Sequence, residues 1–402
     1  MRKMSLNLMI LTSYFAIEPK NIRGGIGYRY VGLYGSLVKT LLKRSPKSKV
    51  FWYSHSDQSL RLFHLKKIAK YRTGMLKAVL HATLSTLKGG GRLAVIIAYP
   101  YAVPKVNAVF WYIFSLVILK SFGLGRIKII VDDFDPPVEA MYAFSENKPS
   151  TVAVTYARIL EKVTLKLASS IVAISEFWKK HLMRTYCLKE NKIFVVSNGS
   201  VIRLIPYNLK KTTQPLIVLY SGSALKSKDI DKLVLAIENL RIQGMDVVLH
   251  IAGAKLMDLP SWVRTAHCDW PSFVGNILLQ SDVCVIPYPP NKFTFFHSMP
   301  AKLFDYMAAG KPIISTNLKE VGDIIRSNNC GLVAKDWKEF EAHLKRLYKD
   351  RELTTKLGNN GRVTVEKYFN YELLAEMFLE NVIQQFKTRH KVKIATNLKE
   401  IR

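Results

Sequence analysis

The stretch MPAKLFDYMAAGKPIIST, residues 299–316, carries the signals for a helix, a sharp stop and a buried strand. Pro300 suits the first turn of a helix, because the backbone N–H groups of that turn have no intrahelical partner. Gly310 can take the left-handed conformation that ends a helix, and Pro312 prevents continuation into the apolar run that follows. The stretch therefore predicts one helix-to-strand connection of an α/β sheet.

Apolar, β-branched runs like the one that closes this stretch recur along the whole chain. In the first half they lie at 6–12, 49–54, 93–100, 127–133, 170–175 and 192–197. In the second half they lie at 216–222, 246–253, 282–289, 312–316 and 331–334. Helical patterns rich in Leu, Lys and Ala separate most of these runs. Continuous apolar strands that alternate with helices are typical of a doubly wound parallel sheet.

Polar and turn residues cluster at 198–215, where the alternation of strands and helices pauses. We therefore predict an α/β fold of two Rossmann-like domains facing a central cleft, one over residues 1–205 and one over 206–370. Residues 371–402 are predicted to form a helix that packs back on the N-terminal domain, followed by a basic tail. In open parallel sheets ligands bind at the carboxyl ends of the strands, so the cleft is the expected active site.

The chain is strongly basic. It has 402 residues, and its 60 Lys and Arg against 30 Asp and Glu give a net charge of +30. This excess makes a polyanionic partner plausible: nucleic acid, anionic lipid or a phosphorylated substrate. A solvated basic surface without a single partner is also compatible with the charge. Hydrophobic residues make up 49% of the chain, which is the balance of a globular protein rather than a disordered one.

Cysteine spacing and the length of the apolar segments favour a cytoplasmic protein without a metal centre. The four cysteines are widely separated and form no CxxC pair, so free thiols are expected rather than zinc ligands. The apolar run at 109–119 falls short of the ~20 residues that span a bilayer. It predicts a buried core helix, with a helix on the membrane surface as the alternative. The apolar run within residues 1–17 predicts a first strand rather than a signal peptide, because no small-residue cleavage site follows.

The helix within 299–316 offers a candidate anion site at its N-terminus. Free N–H groups and the helix dipole both favour a phosphate or another anion there. Lys302 lies in this first turn, where a cation does not favour the helix itself, so an anionic ligand would explain it. Asp305, one turn along, could accept hydrogen bonds from sugar hydroxyls. A helix-to-strand connection without any ligand fits the same spacing and stays an alternative.

The same stretch resembles the donor-binding signature of retaining glycosyltransferase family 4 (glycosyl transferases group 1), which has the GT-B fold. Four further segments resemble segments of this family in the family's order: 161–182, 192–200, 218–237 and 278–290. Together they extend the resemblance over essentially the whole chain. It implies an N-terminal acceptor-binding domain and a C-terminal nucleotide-sugar-binding domain. The implied reaction moves a sugar from a UDP- or GDP-sugar to an acceptor hydroxyl, with retention of configuration.

On the donor side, the resemblance implies a site around the helix that begins near residue 300. Lys228, six residues after Gly222, matches the lysine that neutralises the departing diphosphate. Asp305 stands where the family usually has a glutamate that binds the nucleotide ribose. The predicted donor set is Gly25, Gly222, Ser223, Lys228, Pro300, Ala301, Lys302, Leu303 and Asp305. The predicted catalytic residues are Lys228, His297 and Asp305.

On the acceptor side, the resemblance implies a glycine loop and a pair of acids. The glycines of RGGIGYRY match a loop that approaches the donor phosphate and the acceptor, although a plain β–α turn has the same glycine pattern. The acids of DDFDPP are expected to bind the acceptor or to be structural. Metal-binding DxD motifs belong to the other common glycosyltransferase fold, so neither a metal nor another cofactor is predicted. The predicted acceptor side comprises Gly24, Gly27, Arg29, Asp133 and Asp135.

Three features depart from the family pattern. A histidine often follows the strand equivalent to 127–133, where this chain reads DDFDPP. Ser223 stands where an arginine is common, and His297 stands where the first of two acids is usual, eight residues before Asp305. Arg29 or Lys226 could replace the missing cation. Altered sugar or acceptor chemistry is expected, and nucleotide-sugar binding without catalysis is the alternative.

The segment 47–92 interleaves basic residues with aromatic and apolar ones. On an amphipathic helix this pattern predicts docking on an anionic membrane surface, close to a lipid-linked or glycan acceptor, as for a peripheral protein at the inner face of the membrane. A solvated helix is the alternative. A basic nucleic-acid-binding protein is the rival class. The chain has no zinc-finger spacing, RNP-type motif or basic heptad repeat, so no nucleic-acid partner is expected.

Overall fold

The computed structural model describes residues 5–22, 24–64, 67–100, 109–122, 125–135, 138, 141–142, 149–207, 215–222, 229–254, 258–290 and 299–387. The strands of this part of the chain form two sheets. They are β1 Leu6–Thr12, β2 Val50–Ser54, β3 Ser59–His64, β4 Lys67–Arg72, β5 Arg92–Tyr99, β6 Ile127–Asp133, β7 Ser170–Ala173, β8 Ile193–Val195, β9 Leu216–Ser221, β10 Val247–Ala252, β11 Val263–Ala266, β12 Val283–Ile286, β13 Ile313–Thr316 and β14 Gly331–Ala334.

The first sheet has eight strands in the order β4-β3-β2-β1-β5-β6-β7-β8. Six of them are parallel, with Leu8 of β1 opposite Val50 of β2 and Ala94 of β5. Side chains on both faces of these central strands are buried, which is why their sequences are continuously apolar rather than alternating. The edge strands β3 and β4 form an antiparallel hairpin.

The second sheet has six parallel strands in the order β11-β10-β9-β12-β13-β14. Each of the eleven apolar runs found in the sequence overlaps one of the strands of the two sheets. The predicted fold class, two Rossmann-like α/β domains, is therefore confirmed.

Helices cover both sheets and connect their strands. They are α1 Gly24–Arg29, α2 Gly35–Arg44, α3 Met75–Lys88, α4 Val109–Phe122, α5 Thr151–Leu167, α6 Glu176–Tyr186, α7 Ile230–Ile242, α8 Trp270–Phe273, α9 Ala301–Ala308, α10 Lys319–Ser327, α11 Trp337–Lys349, α12 Arg351–Tyr368 and α13 Tyr371–Gln384. A π-helical turn, Tyr30–Tyr34, joins α1 to α2.

The last helix, α13, leaves the second sheet and packs against α2 of the first domain. A Cβ atom on Gly32 would lie only 2.1 Å from the ring of Tyr371, so this crossing requires glycine. The chain that enters the second domain pairs with the chain that leaves it, through an isolated parallel bridge between Ser200 and Asn370. The two domains are thus joined by two adjacent passages of the chain.

The segment 47–92 is not one amphipathic helix, and that part of the sequence interpretation is wrong. It forms β2, the β3–β4 hairpin and α3. Leu60 lies opposite Tyr53 of β2, and both Leu60 and Phe63 are buried. Pairing with the sheet edge satisfies the backbone and buries these side chains, so strand structure outweighs the helical pattern.

The helix α4 also differs from the buried core helix that the sequence predicts. Its inner side chains, such as Tyr112 and Leu116, are buried, but Phe110 and Trp111 are 68% and 51% exposed. A helix that covers one face of a sheet buries one side only, so an all-apolar helix in this position exposes the other side. No helix in the described residues has the length and hydropathy needed to cross a membrane.

Candidate active site

The helix α9 begins and ends close to where the sequence signals place it. Pro300 is the residue that precedes the helix, with φ −69°, and the first helical residue is Ala301. Pro300 provides no side-chain cap for this N-terminus. Gly310 has φ +67°, which confirms the predicted left-handed stop before β13.

The side chain of Lys302 extends from the first turn of α9 toward the carboxyl end of β9. Its Nζ lies 4.3 Å from the ring centroid of Tyr220 and 5.1 Å from that of Tyr288, both favourable cation–π distances. A Cβ atom on Gly222 would lie 2.5 Å from the same Nζ. Gly222 has φ +134°, a conformation that side chains rarely allow. The structure therefore brings two predicted donor residues, Lys302 and Gly222, into direct contact.

The tyrosine Tyr306 fixes α9 against this strand end. Its hydroxyl lies 2.9 Å from the Ser221 hydroxyl and accepts a 2.9 Å hydrogen bond from the Ser221 backbone N–H. Tyr306 is fully buried, and burial raises the pKa of its phenol well above the ordinary value. This neutral phenol joins α9 to the end of β9 in a contact without water, and so keeps Lys302 close to Gly222.

The carboxyl group of Asp305 lies on the other side of α9, in the contact between the two domains. It is 4% exposed and accepts hydrogen bonds from the Ser200 hydroxyl at 3.0 Å and the Trp270 indole at 3.4 Å. Burial raises its pKa to about 7, against the opposing effect of these hydrogen bonds. Tyr28 of α1 packs edge-on against Trp270, with ring centroids 5.4 Å apart. Protein donors from both domains thus surround Asp305, and its contact with a ribose stays a prediction.

A buried ion pair ties the first domain to the start of α9. Arg29 and Asp132 form two hydrogen bonds, of 2.7 and 2.8 Å, and both side chains are fully buried. Arg29 also donates to the Asn198 side chain at 3.1 Å, and Asn198 donates to the Met299 carbonyl at 2.9 Å. The planar guanidinium suits this bidentate, desolvated contact. The guanidinium of Arg29 is therefore enclosed by protein, and its acceptor-side role stays a prediction.

The two acids on the predicted acceptor side differ in exposure. Asp133 is fully buried and accepts a 2.9 Å hydrogen bond from the Trp178 indole, so it positions α6. Asp135 is half-buried, two residues beyond the end of β6. The acceptor-side roles of both acids stay predictions, and Asp135 is the more exposed of the two.

The glycine loop is helical in the structure. Gly24 and Gly25 begin α1, and Gly27 packs so closely that an added Cβ would lie 2.5 Å from the Tyr14 hydroxyl. The helix α1 contacts α9. The structure thus brings the predicted glycines and the donor helix together across the domain contact.

Three predicted residues, Lys228, Ser223 and His297, lie outside the described residues, as does Lys226.

Other residues at the site were not predicted from the sequence. Ser200 and Trp270 reach Asp305 from positions 105 and 35 residues away in sequence. Only the segment 192–200 of the family resemblance, which contains Ser200, pointed to this part of the chain.

A second carboxyl group, that of Glu320 in the first turn of α10, contacts the other domain. It accepts a 3.2 Å hydrogen bond from the Phe177 backbone N–H, in the first turn of α6. Burial raises its pKa to about 7. A carboxylate in this position complements the positive end of the α6 dipole. The hydrogen bond therefore holds the first turn of α10 against the first turn of α6.

Two parallel-sheet domains that meet at their strand ends, with a cationic helix N-terminus between them, define the GT-B class of fold. Residues 202–364 match the family model for glycosyl transferases group 1. The match covers the second sheet, α9 and the residues around Lys302.

Curated glycosyltransferases also match part of the chain. The capsular polysaccharide biosynthesis glycosyltransferase CapM of Staphylococcus aureus is 24% identical over 254 residues, which are 57% of this chain and 64% of CapM. The putative glycosyltransferase YtcC of Bacillus subtilis is 26% identical over 262 residues, 57% of this chain and 61% of YtcC. The matches span less than two thirds of the length of each relative.

Solved structures share the fold. Sucrose-phosphate synthase from Thermosynechococcus elongatus superposes with a TM-score of 0.67 at 16% identity, covering 96% of this chain and all of that chain. HepE from Anabaena, solved with UDP-glucose, superposes with a TM-score of 0.55 at 14% identity, covering 94% of this chain and 99% of HepE. The likeness establishes the two-domain architecture over nearly the whole chain.

Proposed function

We propose that the protein moves a sugar from a nucleotide-diphosphate sugar to an acceptor hydroxyl. The observation that carries this proposal is the position of Lys302. It lies in the first turn of α9, which Pro300 leaves without a side-chain cap, and against Gly222 at the end of β9. A helix N-terminus with a cation beside it favours a bound diphosphate. The family match and the CapM relative support the same reaction class.

The chemistry rests on charge that develops on the leaving diphosphate. As the bond between sugar and diphosphate breaks, negative charge grows on the phosphate oxygens. The Lys302 ammonium group and the first N–H groups of α9 would stabilise this charge in a preorganised, partly dry site. Lys228 is proposed as a second cation, because of its place in the family pattern. These groups replace a metal ion in the proposal.

Retention of configuration is proposed from the resemblance to family 4. No protein nucleophile is required, because the cleft aligns the acceptor hydroxyl with the sugar carbon. Closure of the two domains would exclude water and favour transfer over hydrolysis. Asp305 and His297 are proposed to contact the ribose and the sugar.

We propose a UDP-sugar as the donor to test first and a lipid-linked or glycan acceptor. HepE was solved with UDP-glucose, and TarM of S. aureus was solved with UDP. CapM and TuaH are named for capsular polysaccharide and teichuronic acid biosynthesis. A lipid-linked acceptor would place the enzyme at the cytoplasmic face of a membrane as a peripheral protein.

Thermal stabilisation by nucleotides tests the donor site. Purified protein is heated with UDP, GDP and a panel of their sugars, each at about 100 times its dissociation constant, where binding adds about 2.7 kcal/mol. We expect one nucleotide class to stabilise the wild type. Lys302→Met keeps a good helix former but removes the charge, so it should weaken nucleotide binding at least tenfold.

The matched control is Lys349→Met, an exposed lysine at the far end of α11. It should leave the nucleotide shift unchanged. Equal shifts in wild type and Lys302→Met would remove Lys302 from the donor site. A folded wild type that no nucleotide stabilises would overturn the proposed function itself.

A further inference from the structure

The guanidinium group of Arg29 is saturated with protein acceptors. Its Nε and Nη2 donate to the two carboxylate oxygens of Asp132, at 2.8 and 2.7 Å. Its other hydrogen bonds reach the carbonyl oxygens of Val196 and Ser197, both at 3.2 Å, and the side-chain oxygen of Asn198, at 3.1 Å. These five bonds match the five N–H donors of a guanidinium. Arg29 therefore fixes the chain that follows β8 and leads out of the first domain.

This network determines which way the amide of Asn198 points. Asn198 is 9% exposed, and its Oδ1 accepts the hydrogen bond from Arg29. Its Nδ2 faces the opposite way, where it donates to the Met299 carbonyl oxygen at 2.9 Å. The reversed amide would place a donor against the guanidinium and an acceptor against the carbonyl, so it would lose both bonds. Arg29 thus acts on Met299 through Asn198.

The backbone next to Asn198 is fixed by close contact. An added Cβ at Gly199 would lie 2.4 Å from the carbonyl oxygen of Phe369, which is backbone. The same carbonyl accepts a 2.9 Å hydrogen bond from the Ser200 N–H, and the Ser200 carbonyl accepts one of 3.1 Å from the Tyr371 N–H. Asn198 is therefore held on one side by Arg29 and on the other by the crossing of the two chain passages that join the domains.

The Met299 carbonyl lies at the entrance to the donor helix. Pro300 follows it with a restricted φ and precedes the first helical residue, Ala301. Lys302 is the next residue of the first turn. Because few dihedral angles separate the Met299 carbonyl from this turn, a hydrogen bond to the carbonyl constrains where the turn lies relative to the first domain.

The groups that would bind the donor diphosphate do not depend on Asn198. Lys302 and Gly222 both belong to the second domain, and the Tyr306 hydroxyl joins α9 to Ser221 at the end of β9. Asn198 follows the last strand of the first sheet, in the domain that is expected to hold the acceptor. Its hydrogen bond therefore relates the two domains rather than building the diphosphate site.

We propose that Asn198 is a positioning residue for sugar transfer. Through its hydrogen bond to the Met299 carbonyl, it aligns the donor held at α9 with the acceptor held by the first domain. This role rests on the proposed function. Binding and transfer should respond differently to its loss, because a misplacement of about 1 Å can cost roughly 100-fold in rate while the nucleotide keeps its contacts.

The direct test is Asn198→Asp, which keeps an acceptor for Arg29 but replaces the donor to Met299 with an oxygen. Binding is measured as thermal stabilisation by UDP and GDP. Transfer is measured as nucleoside diphosphate release from a panel of UDP- and GDP-sugars, with glycan and lipid-linked acceptors. We expect kcat to fall roughly 100-fold. The Kd of the nucleotide should change by less than about threefold.

Asn198→Ala and Asn7→Ala form a matched pair. Asn7 is 5% exposed and lies within the first domain, where its side chain accepts from the Lys49 N–H at 2.8 Å and donates to the Thr86 hydroxyl at 3.0 Å. Each variant loses one accepted and one donated hydrogen bond of a buried amide, so both should lower the Tm. Only Asn198→Ala should lower kcat. Equal losses of kcat in the pair would reduce the effect to stability and overturn the proposal.

Hydrogen exchange gives a readout that needs neither donor nor acceptor. The Leu303 N–H donates to the Pro300 carbonyl at 3.0 Å, in the first turn of α9. We expect this N–H to exchange roughly fivefold faster in Asn198→Asp than in the wild type, and at the wild-type rate in Asn7→Ala. Exchange at the wild-type rate in Asn198→Asp would show that the contact does not hold α9, and would overturn the proposal.

Two further outcomes would overturn the role of Asn198 alone. One is transfer by Asn198→Asp at the wild-type rate. The other is a loss of nucleotide affinity as large as the loss of kcat, because Asn198 would then act on donor binding rather than on alignment. A folded wild type that no nucleotide stabilises would overturn the proposed function, and this role with it.

Discussion

Asp305 is a carboxyl group that the fold holds in an environment favouring its protonated form. Burial raises its pKa to about 7 from the ordinary value of 3.8. A raised acid pKa means that the folded state binds a proton that the unfolded state releases between these pH values. The stability that this group contributes is therefore fully present below about pH 4 and is lost as the pH rises through about 7.

We expect Asp305→Asn to remove this dependence, because an amide has no charge to desolvate. The free energy of unfolding at pH 8 should rise relative to the wild type, by at most about 4 kcal/mol for a shift of roughly three pKa units. The measurement is denaturant unfolding from pH 4 to 8. Glu320, whose pKa is also raised to about 7, should still make the free energy of unfolding of this variant depend on pH.

The exposed Asp246 supplies the control for this experiment, since its carboxylate is about half solvated in an ion pair with Arg241. Asp246→Asn should leave the wild-type slope between pH 4 and 8 in place. If Asp305→Asn showed the same slope as wild type, the carboxyl would be solvated and the account of the domain contact would be wrong.

At the scale of elements, α9 is held by close backbone contact with α12. An added Cβ at Gly358 of α12 would lie 2.1 Å from the carbonyl oxygen of Gly310, which is backbone and cannot turn away. The two elements contact one another along their length. The position of the donor helix therefore depends on a glycine in a different helix.

We expect Gly358→Ala and Gly275→Ala to change stability in opposite directions. Both glycines lie in helical segments, where alanine is preferred by about 1 kcal/mol. Nothing lies within 4 Å of a Cβ at Gly275, so this variant should be neutral or slightly stabilised. Gly358→Ala should lose roughly 1–3 kcal/mol, because overpacking outweighs helix propensity. Thermal unfolding of both variants checks the pair, and a stable Gly358→Ala would contradict the close packing.

The contact between the domains is likewise made by elements rather than by one residue. Asn198 reaches from the first domain to the Met299 carbonyl, and Glu320 reaches from the second domain to the start of α6. Arg29, buried in the first domain, orients Asn198. The first domain thus contacts the start of α9 and the first turn of α10.

At the scale of the whole molecule, the strands could be predicted because burial on both faces is visible in the local sequence. Each central strand reads as a continuous apolar run, independent of its partners. The helix stop at Gly310 and Pro312 is local for the same reason. The β3–β4 hairpin was missed because its residues mix basic and apolar side chains, and its stability comes from pairing with β2.

The rest of the site could not be predicted, because its contacts join residues far apart in sequence. The Arg29–Asp132 pair spans 103 positions, and the Ser200–Asp305 contact spans 105. Neither pair has a local pattern that distinguishes it from solvent-exposed charge. The outer face of α4 was misread for a related reason: an apolar sequence shows that a helix buries one side, but not what covers the other.

The measurement that tests the central claim most directly is release of nucleoside diphosphate from a panel of UDP- and GDP-sugars, in the presence of candidate glycan and lipid-linked acceptors. The account predicts acceptor-dependent release from one donor class by the wild type. It also predicts a loss of roughly 100- to 1000-fold in Lys302→Met, the cost of removing one group that stabilises charge in the transition state. Lys349→Met should match the wild type. Nucleotide binding without release from any donor, or equal release by Lys302→Met, would contradict it.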